Sequence, residues 1–468
     1  MQIRGSSPQR LRTGAGRPGA MNNQMSCADV DLATRMEKSG DSRSFSGTAQ
    51  SAANTPAVIV EADLCGLGVA RSLGQAGVPI YFVDANARRP ALRSRYVSGS
   101  MVTASSGSGV IDALLELQVK LNCRPMLFAR TDEMVRTISK YRDRLAPAFH
   151  FRLPDDNCVC SLLHKRSFQQ IAERYGFPIP RATAVCKEED LANLAHMRFP
   201  VVIKPGDTKL YYSSCAPRVQ TAARREEAEA ACRAILPQAP DLIVQEWIAG
   251  GESDIYFCLQ YRGENGATIS SFTGRKLRCW PPLTGTTASA TAAPEVEAIL
   301  EPMTTEFFNK TGCVGFCSME YKRDPRTGEF FMIEPTVGRV DWQEETATVN
   351  GVNIPLTAYR YELGFPLPAA KRPLKPVIWS YTPWCLRSMA AARSWSNSRL
   401  PHARVKGASW RLEDPLPAIF DCAQVVAKLF SLARWREIFR QHRVKGGNQA
   451  QETVPLVVNT SNQGILTN

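Results

Sequence analysis

The stretch that most constrains the fold is Gly315 to Arg339, GFCSMEYKRDPRTGEFFMIEPTVGR. Aromatic and apolar residues fill GFCSMEYKR, DPRTG brings an Asp, a Pro and a closing Gly for a turn, and EFFMIEP reads as a returning strand. Such a hairpin makes Glu320 and Glu334 near neighbours. Two carboxylates facing each other on adjacent strands repel, so the arrangement is favourable where a cation lies between them, and hard oxygen ligands of this kind suit Mg²⁺. The alternative is a solvent-exposed hairpin with acidic residues on its wet face.

A chain of 468 residues is too long for one ordinary core, so two or three domains are expected. Its 44% hydrophobic and 22% charged content is that of a soluble globular protein. No apolar run reaches the roughly eighteen residues that cross a bilayer, and the N-terminus lacks the apolar core of a secretory signal. A cytoplasmic location is the expectation. The 14 cysteines are scattered, and Cys158/Cys160 and Cys313/Cys317 lack the CxxC spacing of zinc or redox sites, so they read as reduced packing residues. His150, His164, His196, His402 and His442 are dispersed, which argues against a histidine metal site or relay.

The net charge of +13 is terminal: residues 1–55 carry seven Lys/Arg against four Asp/Glu, residues 371–468 fifteen against five, and 56–370 balance. A basic partner surface therefore belongs to the ends rather than to the central machinery. Residues 1–55, rich in Ser, Gly, Arg, Asn and Gln without periodicity, read as a disordered leader, with Met21 a second candidate start.

From Pro56 the pattern becomes strand (PAVIVEA), turn and helix (CGLGVARSLGQAG) and strand (VPIYFVDA), the opening of a doubly wound sheet. Gly66, Gly68 and Asp84 invite comparison with a dinucleotide fingerprint, but Arg71 stands at its third glycine position. An amphipathic helix follows in LLHKRSFQQIAERYGFPIPRAT, and RFPVVIKPGD delivers Lys204 at the end of a β-branched strand. A lysine there is well placed to meet a phosphate; the bland reading is a strand-end lysine snorkelling to water. In DLIVQEWIAGGESDIYFCLQY two strand-like runs flank a linker from Glu246 to Glu252, whose backbone groups can read a flat base edge. Arg275, Lys276 and Arg278 then form a basic cluster before a Pro/Gly loop and a long helix from Glu295 to Lys310.

The ordered set HKRSFQQIAERYGFPIP, FPVVIKP, VQEWIAGGESD, GRKLRCWPP, GFCSMEY and MIEPTVGR resembles the ATP-grasp superfamily, in particular its carboxylate-amine ligase-like members, over about residues 56–370. The resemblance implies an α/β and α+β protein: a Rossmann-like domain over 56–150, a two-subdomain ATP-grasp fold over 151–370 with its lid at about 181–243, and a basic C-terminal extension over 371–468. It also implies roles. Lys165 and Lys204 contact nucleotide phosphates, the backbone of Gln245, Glu246, Trp247 and Ile248 holds adenine, and Glu252 meets the ribose. Glu320 and Glu334 bind Mg²⁺, and Lys276 and Arg339 stabilise charge on the γ-phosphate and on an acyl phosphate. Many members end this motif with Glu-x-Asn-x-Arg. Here Thr336 takes the Asn place and can offer a hydroxyl to the metal or its water, and Arg339 is displaced by one. The loop DTKLYYSSCAPR is poor in glycine, so Lys209, Ser213 and Ser214 either substitute with side chains or the lid has lost its function.

The implied activity is an ATP- and Mg²⁺-dependent ligase that joins a small-molecule carboxylate to an amine, with no nucleic acid involved. The competing reading is a non-catalytic nucleotide-binding or scaffold protein on the same fold. Asp341, Gln343, Glu344 and Glu345 either line the acceptor side or simply begin a helix. In the C-terminal segment, five tryptophans (Trp379, Trp384, Trp395, Trp410 and Trp435) are interleaved with arginines, and Pro417 to Val444 reads as a basic amphipathic helix. That pattern fits a peripheral membrane or protein contact, or an appendage packed on the enzyme.

Overall fold

The computed structural model describes residues 55–103, 107–207, 219–392 and 403–430. The leader before Thr55, the loop residues Lys209, Ser213 and Ser214, Trp395, and the chain beyond Phe430, Trp435 included, lie outside them.

The first layer is a parallel sheet in the order β3-β2-β1-β4, made of β1 (Ala57–Val60), β2 (Ile80–Asp84), β3 (Val97–Val102) and β4 (Met126–Phe128). Its central strand AVIV is buried along its whole length, as a parallel strand covered on both faces must be. Helices α1 (Leu64–Gly74), α2 (Ser108–Leu121), α3 (Asp132–Lys140) and the short α4 (Arg142–Leu145) belong to this layer. Asp63 caps α1 by accepting from the Gly66 amide at 2.9 Å, so a carboxylate already fills the place a dinucleotide's pyrophosphate would need. Asp84, the would-be ribose ligand, accepts from the amides of Ala62 at 2.6 Å and Asn86 at 2.7 Å.

Helices α5 (Asp156–Leu163) and α6 (Lys165–Arg174) lead into a four-stranded antiparallel sheet ordered β5-β8-β6-β7: β5 (Ala182–Val185), β6 (Val201–Pro205), β7 (Gln220–Ala222) and β8 (Leu242–Glu246). Helix α7 (Arg225–Ile235) closes a separate small core with it, in which Val201, Ile203, Leu242 and Val244 are buried.

The third sheet has seven strands. Five of them are β9 (Ile255–Arg262), β10 (Thr268–Trp280), β11 (Thr286–Ala292), β12 (Gly315–Arg323) and β13 (Phe330–Val337), the last at one edge, with α8 (Glu297–Thr311) between β11 and β12 in sequence. Helices α9 (Glu344–Val349) and α10 (Ile354–Glu362) follow; α10 packs in the core beside α1. The segment read as a C-terminal extension joins this sheet: β14 (Ile378–Ser380) pairs with β11, and β15 (Val405–Gly407) runs parallel to β14, giving the order β13-β12-β9-β10-β11-β14-β15. Helix α11 (Thr382–Ala391) lies between these two strands in sequence, and α12 (Leu416–Phe430) follows β15. Both main cores mix residues of the parallel sheet with residues of the seven-stranded one, Val58 with Met319 in one and Ile59 with Phe316 in the other. None of the described helices is long and apolar enough to cross a membrane.

Candidate active site

Alternation on β12 sends Cys317, Met319 and Tyr321 into the core and turns Ser318, Glu320 and Lys322 to a cavity between the four-stranded antiparallel sheet and the seven-stranded sheet. Glu320 and Glu334 stand directly opposite each other in the β12–β13 register. Strict alternation on β13 would put Met332 and Glu334 on one face. The register slips between Glu320 and Tyr321, whose partner is Met332, so Ile333 is the extra residue of a bulge. Met332 is thereby fully buried while Glu334 and Thr336 face the cavity. Strand β13 is followed by Gly338, whose φ of 71° and tight approach to Leu153 (2.6 Å from an added Cβ) exclude a side chain. The next residue, Arg339, lines the cavity.

Each carboxylate is met by a lysine. Lys276 Nζ lies 2.5 Å from Glu320 Oε2, and Lys165 Nζ lies 3.1 Å from Glu334 Oε1. Burial pulls the Lys276 ammonium down, but Glu320 and its acidic neighbours outweigh it and leave the net shift upward. Lys165 is set by His164, which caps α6 through the Ser167 amide and reaches Asp241 at 2.7 Å, and by its own amide bonded to the Gly206 carbonyl at 2.9 Å. Lys204 donates to the Gln245 side chain at 3.3 Å, and Gln245 in turn donates to Gln169 at 3.0 Å. Arg339 pairs with Asp132 at 2.5 Å.

The cavity gathers Lys165, Lys204, Gln245, Glu246, Trp247, Ile248, Lys276, Glu320, Glu334, Thr336 and Arg339 of the expected residues. The amides of Glu246 and Trp247 are already bonded to the carbonyls of Arg181 and Pro200, at 2.8 and 3.0 Å. Ile248 has the one amide of the four without a protein partner among the described residues. Glu252 does not line the cavity: its carboxylate accepts from the amides of Cys279 at 3.1 Å and Leu283 at 3.0 Å, pinning the end of β10.

Several wall residues had no place in the sequence reading. Lys322 lines the cavity and donates to the Gly251 carbonyl, and burial holds its ammonium below the usual range. The spacing Ser318, Glu320, Lys322 on one strand was the available signal. Asp132 and Trp342 also line it; the Arg130 guanidinium stands 5.7 Å from the Trp342 ring, which stacks on Trp384 at 5.4 Å.

On the acceptor side the expected residues divide. Asp341 and Gln343 line the cavity, Asp341 held by the Ser318 hydroxyl at 2.6 Å and the Gln343 amide at 2.8 Å. Glu344 and Glu345 instead open α9 and are buried. Burial raises the Glu344 carboxyl to about 8, against the Thr348 hydroxyl bond that lowers it. A carboxyl raised in the folded state stabilises most below its unfolded value and loses that contribution as pH rises through about 8. Thermal melts should therefore show stability falling by about 1–3 kcal/mol between pH 5 and 8.5, and Glu344→Gln should flatten that dependence. An unchanged slope in the variant would refute the assignment.

Two opposed carboxylates flanked by ammonium groups are a fitting donor set for a divalent cation shared with phosphate. No group of three or more His, Cys, Asp or Glu placed to hold a metal occurs among the described residues, so phosphate oxygens and water would complete the shell, as is usual for Mg²⁺.

No family model matches the chain. A D-aspartate ligase of Enterococcus faecium (strain Aus0004) is 26% identical over 245 residues, 49% of this chain and 56% of the relative, so the match spans little more than half of that protein. Among solved structures, the biotin carboxylase domain of Hydrogenobacter thermophilus 2-oxoglutarate carboxylase, in complex with MgADP, ADP and bicarbonate, superposes with a TM-score of 0.55 at 14% identity, over 69% of this chain and 73% of that one. The L-amino acid ligase of Bacillus licheniformis gives 0.51 at 14% identity, over 66% and 74%. These likenesses show the fold: the chain shares the ATP-grasp architecture of the solved biotin carboxylase domain and L-amino acid ligase.

Proposed function

We propose that the protein is an ATP- and Mg²⁺-dependent ligase that activates a carboxylate as an acyl phosphate and passes the acyl group to an amine. The observation that carries this reading is one cavity in which Glu320 and Glu334 oppose each other while Lys165, Lys204, Lys276 and Arg339 surround them. Phosphoryl transfer asks for positioning and charge neutralisation rather than a protein nucleophile. Lys165 and Lys204 approach the phosphates from two elements, and the Ile248 amide is free to read the base. Lys276 and Arg339 meet charge developing on the γ-phosphate and acyl phosphate. Glu320, Glu334 and Thr336 would hold Mg²⁺, which would supply positive charge to neutralise the phosphates. Asp341 is placed to orient an incoming amine or take its proton. The names of the two ligase relatives point to amino acids as the substrate class. A cytoplasmic location belongs to the same reading, and the outward apolar face of α12 supports a peripheral contact with a membrane or protein.

Purified protein incubated with ATP, Mg²⁺, a panel of amino acids and hydroxylamine should release ADP and yield a hydroxamate in an acid-dependent way. The scaffold reading draws on Thr336 and on the lysines already paired with both carboxylates. ATP binding with neither ADP nor hydroxamate for any acid would establish it over the ligase.

A further inference from the structure

Helix α12 is amphipathic with its apolar side outward. Its inner side holds Ala418 in the protein, stacks Phe420 under the Arg93 guanidinium at 4.8 Å, and donates from Gln424 to the Arg88 carbonyl at 2.6 Å. Leu416, Ile419, Cys422, Ala423, Val426 and Ala427 recur at helical spacing and are all exposed. No charged residue interrupts them. Leu416, Ile419 and Val426 are 54%, 51% and 50% exposed, and the approach to the helix adds Leu412 at 85%. A surface helix normally turns such a stripe to the core, and an outward one marks an interaction face.

The rim of this stripe is basic. The Arg93 guanidinium lies over Phe420 at the middle of the helix and the Arg95 guanidinium reaches the Glu413 carbonyl just before it, while Arg88 meets Gln424 through its backbone carbonyl further on; all three arginines are exposed. The acidic residues nearby are Glu413, within 3.5 Å of Lys406, and the half-buried Asp421. The sequence keeps the same sign after the helix: residues 434–445, RWREIFRQHRVK, hold five Lys/Arg and one Glu.

We propose that this face docks on an anionic phospholipid surface, the helix lying in the interface with its apolar stripe among the acyl chains and the arginines at the phosphates. It narrows the peripheral contact above to one partner. A two-fold contact with a second copy would set arginine rim against arginine rim, which disfavours self-association. Nucleic acid would use the charge and have no use for the stripe.

The full chain is sedimented with vesicles of phosphatidylcholine alone, or with phosphatidylglycerol at roughly a third. At low salt at least tenfold more protein should pellet with the anionic vesicles, and raised salt should weaken the binding. Ile419→Asp with Val426→Asp should abolish pelleting, and Arg88→Glu with Arg93→Glu should cut it about tenfold. Melting midpoint and ADP formation in solution, read in parallel, should stay at the parent values, so failure here is distinct from failure of the ligase reading. Equal pelleting with neutral and anionic vesicles would overturn the proposal. So would binding retained in the Asp variants, or a parent oligomer that those variants dissociate.

Discussion

Glu334→Gln should lower acid-dependent ADP formation by about three orders of magnitude while leaving the unfolding midpoint close to that of the parent chain. The side chain is 40% exposed and its partner Lys165 is 18% exposed, so the pair is partly solvated and contributes little to stability. Its value lies in placing negative charge opposite Glu320, where a cation and phosphates are to be held. Glu320→Gln should cost a similar factor in turnover but behave differently in the melt. Its partner Lys276 is 6% exposed, and removing the carboxylate leaves a buried ammonium unpaired at a cost of about 3 kcal/mol. The two variants together separate chemistry from folding: both lose turnover, and only Glu320→Gln loses stability. ADP formation within threefold of the parent in Glu334→Gln would remove that residue from the metal and phosphate site.

The hairpin, its paired glutamates and Lys204 at a strand end were legible because each depends on local pattern: a turn between two β-rich runs, and a charged residue closing a buried one. What escaped depends on neighbours distant in sequence. The bulge at Ile333 is invisible in FFMIEPTV, yet it lets Met332 enter the core while Glu334 faces the cavity. Glu252 has the residue type of a ribose ligand, but the amides that claim it belong to Cys279 and Leu283. The linker's residue types do not show that the carbonyls of Arg181 and Pro200 take the amides of Glu246 and Trp247. Strands β14 and β15, three residues each, are too short to show a period, so their segment looked like an appendage.

Asp414→Ala should destabilise the fold by about 3–5 kcal/mol, more than any single change in the cavity wall. Arg71, which broke the dinucleotide pattern, is the reason. Its Nε meets Asp414 Oδ2 at 2.9 Å, and its two Nη groups donate to the carbonyls of Ala408, Ser409 and Asp414, so the first helix is tied to the chain just after β15. Asp414 also accepts from the Ser94 hydroxyl at 2.8 Å and the Arg95 amide at 2.9 Å, and is fully buried. Next to this knot Arg411 holds Glu345 at 2.9 Å, and the Trp379 indole donates to the same carboxylate at 2.7 Å, which joins β14 to α9 behind the acceptor wall. Removing the Asp414 carboxylate takes the buried anion from beside Arg71 and strips the Arg71 Nε, the Ser94 hydroxyl and the Arg95 amide of their acceptor. Arg71→Met should cost less, because Asp414 keeps Ser94 and Arg95 as donors and a methionine stem fills much of the space. Urea unfolding of the two variants tests the order. A cost below about 1 kcal/mol for Asp414→Ala, or a larger one for Arg71→Met, would mean that the knot is not what fastens the C-terminal strands to the first helix.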